Sequence, residues 1–251
     1  MYQKFCEVRR MAWFFSEGEI PSDVYRFSGE NAKHIRVLRL RQGEEVTIVT
    51  PGGEQCGGVM ESVSDGDVTA RITSRKRCEN EPDVFVTLYQ ALPKGDKMDY
   101  IVQKCVELGI SRIVPVLSAR CVSRPDAKSL VKKRERWQKI ALQAAMQSRR
   151  GIIPQVEECV SFAQAVETSK QNERNIFFYE MGGAPVKEIL TENPKTLGMF
   201  IGSEGGFEDG EAELAIQSGA PAATLGRRIL RAETAPLAAL SIIMYQTDNF
   251  S

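Results

Sequence analysis

Residues 84–117 read VFVTLYQALPKGDKMDYIVQKCVELGISRIVPVL and contain three segments with different patterns. The apolar runs at 84–88 and 112–117 predict two strands. Residues 96–108 repeat apolar side chains at helical spacing, and Gly109 ends the pattern, which predicts a helix. Its buried stripe would comprise Met98, Ile101, Val102, Cys105 and Val106. A strand, a helix and a strand at this spacing form a βαβ unit, which predicts a parallel sheet.

The remaining sequence predicts an α/β fold in two domains. After residue 117 we expect helices at about 129–149, 208–218 and 234–246, and strands at 176–179, 197–201 and 222–225. Residues 14–77 instead alternate short strands (45–49, 56–63 and 67–72) with glycine turns and one helical piece at 29–38. That pattern is typical of a small β-barrel. The polar stretch 76–82 is the predicted linker, so the domains are 1–80 and 81–251.

Composition excludes several classes of protein. Thirty-three basic and 33 acidic residues give a net charge of zero, which argues against non-specific coating of nucleic acid. The single histidine, His34, excludes multi-histidine metal sites, and no P-loop motif occurs. Six cysteines without a C-x-x-C pair indicate reduced thiols and no zinc site. With no adequate signal peptide and no long apolar run, we expect a cytoplasmic protein without a membrane segment or a metal.

Two glycine-containing segments predict a ligand site. Residues 200–207 read FIGSEGGF and residues 225–235 read LGRRILRAETA. Each would follow a strand at the carboxyl edge of the sheet, where open α/β folds bind ligands. Glycine there lets backbone amides approach a flat polar molecule closely. One such pair is more often a plain turn, but two loops at one edge, the second rich in arginine, favour a nucleotide-like ligand.

These two motifs resemble the signatures of the RsmE family of 16S rRNA uridine-N3 methyltransferases. The similarity extends to residues 34–39 (HIRVLR), 92–98 (LPKGDKM), 103–109 (QKCVELG) and 136–141 (RWQKIA), in the order the family has them. The first twelve or so residues fit poorly. Ser203 and Arg227 stand where the family usually has proline. We therefore expect the free loops to be less rigid, because each missing proline raises the conformational entropy of the unfolded chain by an amount worth roughly 0.4–1 kcal/mol.

The resemblance implies a C-terminal SPOUT-type, trefoil-knotted parallel-sheet domain and a small N-terminal PUA-like β-barrel. The knot loops would hold S-adenosyl-L-methionine. The cofactor-binding residues would be Tyr179, Glu180, Ile201, Gly202, Glu204, Gly205, Gly206, Leu225, Gly226, Ile229 and Leu230. Such enzymes are homodimers, and the final helix, with Leu237, Leu240, Ile243 and Met244, suits either a subunit interface or an internal core.

Methyl transfer to uridine N3 needs a proton to leave the ring. We expect Arg228 or Arg231 to stabilise the uracil oxygen through a charge-assisted hydrogen bond. Glu233 or Glu204 is a candidate base, although each could instead only orient its neighbours. The target uridine must also be unstacked, which favours an exposed position in the RNA.

Two clusters of basic residues predict an interface for 16S rRNA or the small ribosomal subunit. Residues 112–150 contain eleven Lys and Arg against two acids, and residues 31–41 contain no acid. A solvated face is the ordinary reading of one such cluster, but both together favour phosphate contacts with folded RNA. The candidate RNA-binding residues are Lys33, His34, Arg36, Arg39, Arg120 and Arg150.

The sequence leaves two alternatives open. One is a SPOUT methyltransferase acting on tRNA or on a ribose 2′-oxygen. The other is a non-catalytic RNA-binding factor in ribosome assembly. A nicotinamide oxidoreductase is disfavoured, because the segment after the first strand, ALPKG at 91–95, lacks the G-x-G-x-x-G motif.

Overall fold

The computed structural model describes residues 12–64 and 66–250. Most of the N-terminal segment that fits the family pattern poorly lies outside them. The chain divides into two compact units. The first ends at Glu81 and also includes Arg149–Ile152, and the second comprises Pro82–Ser148 and the chain from Ile153 onward. In the described part, no helix is long and apolar enough to cross a bilayer.

Among its described residues, the first unit is built on a five-stranded sheet. Its strands are β1 (Ala12–Phe15), β2 (Val24–Arg26), β3 (Glu45–Val49), β4 (Glu54–Val63) and β5 (Val68–Arg77), in the order β1-β3-β4-β5-β2. β1 is parallel to β3 and the other pairs are antiparallel. Helix α1 (Gly29–Val37) buries Ile35. Residues 76 and 77, predicted as linker, instead complete β5, because Arg77 pairs with Glu54 of β4.

The second unit contains the predicted parallel sheet. Its strands are β6 (Phe85–Ala91), β7 (Arg112–Leu117), β8 (Gln155–Val156), β9 (Val160–Ser161), β10 (Arg174–Phe178), β11 (Ala184–Pro185), β12 (Thr196–Ile201) and β13 (Ala222–Thr224). They lie in the order β11-β13-β10-β12-β6-β7-β8, with β9 also beside β7. Every pair is parallel. The trefoil knot stays a prediction.

Six helices accompany this sheet. They are α2 (Lys97–Glu107), α3 (Ala127–Gln147), α4 (Phe162–Ser169), α5 (Val186–Ile189), α6 (Asp209–Gln217) and α7 (Ala235–Gln246). All five residues of the stripe predicted on α2 are buried. Helix α3 begins two residues earlier than predicted, because the Asp126 side chain accepts a hydrogen bond from the Ser129 amide at 2.7 Å and caps it.

Aromatic packing supports the carboxyl edge of this sheet. Tyr89 of β6 stacks on Phe200 of β12, with ring centroids 4.5 Å apart. Phe177 of β10 contacts Phe207 at 4.6 Å, and Phe162 contacts Phe207 from α4 at 5.3 Å. Such ring pairs stabilise the fold beyond what the burial of their apolar area contributes. The glycine segment 200–207 is therefore fixed at both ends by fully buried rings.

Candidate functional site

A cavity of about 550 Å³ opens at the carboxyl edge of the sheet in the second unit. Its walls come from the segments that follow β10, β12 and β13, at residues 178–180, 201–206 and 223–232. Lys97 and Ala235, the first residues of α2 and α7, complete the lining. This volume is in the usual range for a small-molecule site.

All eleven residues predicted to bind the cofactor line this one cavity: Tyr179, Glu180, Ile201, Gly202, Glu204, Gly205, Gly206, Leu225, Gly226, Ile229 and Leu230. Arg228 and Arg231 line it as well, whereas Glu233 does not. Three further residues line the cavity although the sequence did not place them among the cofactor-binding residues: Lys97, Ser203 and Arg227. Lys97 could have been singled out, because it ends the motif LPKGDK between a strand end and a helix start.

The first glycine loop is packed too tightly to accept side chains. Gly206 has a φ of +68°, and a β-carbon there would clash with the Glu180 carboxylate. A β-carbon at Gly205 would lie 3.0 Å from Cβ of Arg120. The Gly206 amide donates to the Ser203 carbonyl at 3.0 Å, and Gln90 Nε2 donates to the Gly202 carbonyl at 3.2 Å. The loop therefore presents backbone, with no side chain, to the cavity at these positions.

The second loop carries three exposed arginines at the cavity. Gly226, with a φ of +99°, turns the chain after β13, and its amide donates to Thr224 Oγ1 at 3.1 Å. The guanidinium groups of Arg227, Arg228 and Arg231 form no hydrogen bond or ion pair with any described residue. They are consequently available to bind an anion or a developing negative charge.

A lysine joins the two candidate bases. Lys97 Nζ lies 2.7 Å from Glu204 Oε1 and 3.0 Å from Glu233 Oε2. Burial alone would raise the pKa of Glu204, but hydrogen bonds from Lys97 and from backbone amides outweigh it and the pKa is lowered. A backbone hydrogen bond and then Lys97 lower the pKa of Glu233. Hydrogen bonds to both carboxylates raise the pKa of Lys97. A carboxylate with a lowered pKa is a weaker base, so this arrangement disfavours both glutamates for proton abstraction.

The candidate RNA-binding residues differ in their surroundings. Lys33 is exposed and pairs with Glu30 at 2.8 Å, and Arg36 donates to the Ser64 carbonyl at 3.1 Å. His34 is half-buried against the Phe14 ring, and Arg39 is exposed.

The two remaining candidates are engaged within the protein. Arg120 Nη1 donates to the Gly205 carbonyl at 3.3 Å. Arg150 is only 3% exposed and forms an ion pair with Glu81, whose carboxylate also accepts from the Gly151 amide at 2.7 Å. This burial favours a structural role for Arg150 in place of the predicted RNA contact.

No cluster of three potential metal ligands among His, Cys, Asp and Glu occurs within residues 12–64 and 66–250. The polar groups that line the cavity include glycine backbone, the Lys97 ammonium group, the arginines at 227, 228 and 231, and the carboxylates of Glu180 and Glu204.

Comparison with known proteins gives matches along most of the chain. Residues 80–244 match the family described as RNA methyltransferase domain, and residues 27–73 match the RNA methyltransferase PUA domain. The ribosomal RNA small subunit methyltransferase E of Bacillus subtilis is 35% identical over 90% of this chain and 91% of the relative. The Synechocystis protein of that name is 36% identical over 83% of this chain and 68% of the relative.

Solved structures give the same result. The ribosomal RNA small subunit methyltransferase E of Neisseria gonorrhoeae, bound to S-adenosyl methionine, is 30% identical with a TM-score of 0.85. The similarity covers 94% of this chain and 97% of that structure. A Legionella pneumophila protein in complex with the cofactor SAM has a TM-score of 0.86 at 30% identity, over 94% and 98% of the two chains. These similarities confirm the resemblance carried by the two glycine motifs, and the chain belongs to the ribosomal RNA small subunit methyltransferase E family.

Proposed function

We propose that this protein transfers a methyl group from S-adenosyl-L-methionine to N3 of a uridine in the 16S rRNA of the small ribosomal subunit. One observation carries the proposal: the glycine loop and the arginine loop border a single cavity of about 550 Å³. The relatives named as small-subunit methyltransferases, and the neighbours bound to the cofactor, support the reaction class and the methyl donor.

The residues present fit this cofactor. At Gly202, Gly205 and Gly206 a β-carbon would press against neighbouring protein atoms, so the loop lines the cavity with backbone, whose polar groups suit the edge of an adenine. Glu180 supplies a carboxylate on the same wall, where ribose hydroxyls could donate to it. When bound, the cofactor supplies a methyl group on a positively charged sulfonium leaving group. The loops at residues 201–206 and 225–230 would hold it.

The protein's part in the chemistry is to position the base and stabilise charge. Uridine N3 loses its proton to solvent water at the open cavity when it is methylated, so negative charge develops on the uracil oxygens. Arg228 and Arg231, which have no ion-pair partner among the described residues, would donate hydrogen bonds to such an oxygen. Holding the reacting atoms close together supplies much of the remaining acceleration.

We propose that residues 1–80 bind RNA and that residues 81–251 catalyse the transfer. The match of residues 27–73 to a PUA domain supports the first role. Within residues 1–80, Lys33, Arg36 and Arg39 are exposed and His34 is half-buried. In the second part, helix α3 exposes a series of cations: Lys128, Lys132, Arg134, Arg136 and Lys139. Phosphate contacts from such residues would supply most of the affinity for RNA.

We also propose that the protein is a homodimer. We propose that it acts in the cytoplasm, where it would encounter ribosomal RNA. On α7, Leu240, Ile243 and Met244 are fully buried inside the second unit, which assigns them to the core. The same helix leaves Ile242 and Tyr245 exposed, and Tyr245 is 74% exposed. Exposed apolar residues on a terminal helix support a subunit interface there.

The test is mass spectrometry of nucleosides from the 16S rRNA of a strain lacking the gene, with and without the gene restored. We expect N3-methyluridine to disappear on deletion and to return on complementation. Loss of a ribose 2′-O-methyl group or of a tRNA modification instead would favour the other methyltransferase classes. No change in any methylated nucleoside would favour a non-catalytic RNA-binding factor.

A further inference from the structure

Three segments of the second unit meet at the ammonium group of Lys97. Lys97 is the first residue of α2, just beyond the end of β6. Glu204 lies in the glycine loop after β12, and Glu233 lies in the arginine loop before α7. The Nζ atom is 2.7 Å from Glu204 Oε1 and 3.0 Å from Glu233 Oε2. One side chain therefore joins both loops that border the cavity.

The contact with Glu204 is reinforced by backbone. The Lys94 amide donates to both carboxylate oxygens of Glu204, at 3.2 Å each. The side chains of Lys97, Glu204 and Glu233 are 32%, 26% and 22% exposed, so solvent screens the three charges only in part. A partly buried network of this kind holds its members more firmly than an isolated surface pair does.

In the described part of the chain, Lys97 supplies the ion pairs that link the two loops. No other ion pair among residues 12–64 and 66–250 joins the segment 201–207 to the segment 225–235. The segment 201–207 contains three glycines, Gly202, Gly205 and Gly206, and Gly226 begins the turn of the segment 225–235. Loops that are ordered only on binding reduce affinity, because the ordering entropy opposes association.

We propose that Lys97 is a positioning residue that holds the glycine loop and the arginine loop in one cofactor-binding arrangement, with Glu204 and Glu233 as its structural counter-ions. This inference rests on the proposed function for the identity of the cofactor. It assigns neither glutamate to proton abstraction. It also separates Lys97, which acts on the shape of the pocket, from Arg228, which would act on the substrate.

Calorimetric titration of the full chain with S-adenosyl-L-methionine tests the proposal. We expect Lys97→Met, which keeps the length and removes the charge, to weaken binding by about tenfold or more, a loss of about 1.4 kcal/mol per factor of ten. Lys97→Arg keeps the charge and should stay within about threefold of the parent protein. Lys94→Met is the matched control, because its exposed side chain contacts neither glutamate; it too should stay within about threefold.

A double-mutant cycle checks that Lys97 acts through its counter-ions. Glu233→Gln alone should weaken binding, and adding it to Lys97→Met should cost little more, because the interaction is already lost. Full additivity of the two losses would overturn the proposal, and so would a Lys97→Met protein that binds as tightly as the parent. Thermal unfolding shows whether Lys97→Met folds. If it does not, Glu233→Gln and Glu204→Gln provide the same test. Normal cofactor binding by both of these variants would overturn the proposal.

Turnover at saturating cofactor supplies a readout that a general loss of structure would not give. Lys97→Met should recover most of its turnover at high cofactor concentration, since the defect lies in binding. Turnover that stays low at saturation would overturn the positioning role. The parent protein's own titration tests the proposed function separately: absence of any binding there contradicts the cofactor, whereas parent-like binding by Lys97→Met contradicts only the role of Lys97.

Discussion

The Glu180 carboxylate lies directly against Cα of Gly206, in the space that a β-carbon at residue 206 would occupy. The two residues come from different strand ends: Glu180 follows β10 and Gly206 follows β12. Those strands are neighbours in the sheet, with Phe177 paired to Phe200. The close approach thus depends on the sheet order, and it sets one wall of the proposed cofactor pocket.

Gly206→Ala should remove cofactor binding while leaving the rest of the fold intact. The added methyl group would collide with Glu180, and the φ of +68° is unfavourable for alanine. We expect affinity for S-adenosyl-L-methionine to fall by about a hundredfold or more, or roughly 2.7 kcal/mol, by calorimetry. Gly210→Ala in α6 is the control, because a β-carbon there meets nothing within 4 Å. If Gly206→Ala keeps the parent affinity, the proposal that the cofactor binds at this loop is contradicted.

Arg228→Ala should separate catalysis from cofactor binding. The exposed guanidinium has no partner among the described residues, so its removal should leave the pocket unchanged. Loss of one donor to a developing oxyanion lowers turnover by about 10²–10³-fold. We expect that loss in a methyl-transfer assay on 16S rRNA, with the cofactor Kd within about threefold of the parent value. Arg227→Ala, one residue away, is the matched charge control, and equal losses in both variants would argue against a specific role for Arg228.

Much of the local structure could be predicted from the sequence because periodicity reports burial. The buried stripe on α2 and the strand at 112–117 lie where the sequence pattern predicts them. Periodicity does not report which distant strands pair, so the position of β12 between β10 and β6 could not be predicted from it. The cavity could be predicted only because two sequence motifs, at residues 200–207 and 225–235, form most of its walls.

Two charged residues show what the sequence could not reveal. Arg150 looked like part of a basic surface, yet it is buried against Glu81, nearly seventy positions earlier in the chain. Lys97 lies in the motif at 92–98, but nothing in the sequence indicates that its ammonium group meets carboxylates from two separate loops. All three ion pairs depend on tertiary contacts between segments that are remote in sequence.

Cofactor affinity should be nearly independent of pH across the neutral range. The pKa values of Glu204 and Glu233 are lowered from the ordinary value of 4.5, so above pH 4.5 both carboxylates are ionised and paired with Lys97. Their contribution to cofactor affinity is lost only as the pH falls through the lowered pKa values. The raised pKa of Lys97 means that its contribution is complete below 10.5 and is lost only at higher pH.

The matched experiment for this pH dependence is a series of titrations of parent and Lys97→Met protein in buffers of constant ionic strength. Without the ammonium group, both glutamate pKa values should rise, so the acid limb of the affinity profile should move to higher pH. Superimposable acid limbs in the two proteins would show that Lys97 does not control these carboxylates.

Ser203→Ala should stabilise the protein. Ser203 is 7% exposed, and its buried hydroxyl has no hydrogen-bond partner among the residues that the structure describes. Removing an unsatisfied buried hydroxyl relieves a desolvation cost of about 1 kcal/mol. In a protein of this size that corresponds to a rise in Tm of about 2–4 °C. Ser169→Ala is the matched contrast, because Ser169 is also buried but its hydroxyl donates to the Val166 carbonyl at 2.8 Å. We expect that variant to lower Tm in the same calorimetric scan, and a similar loss in both variants would mean that the Ser203 hydroxyl has a partner after all.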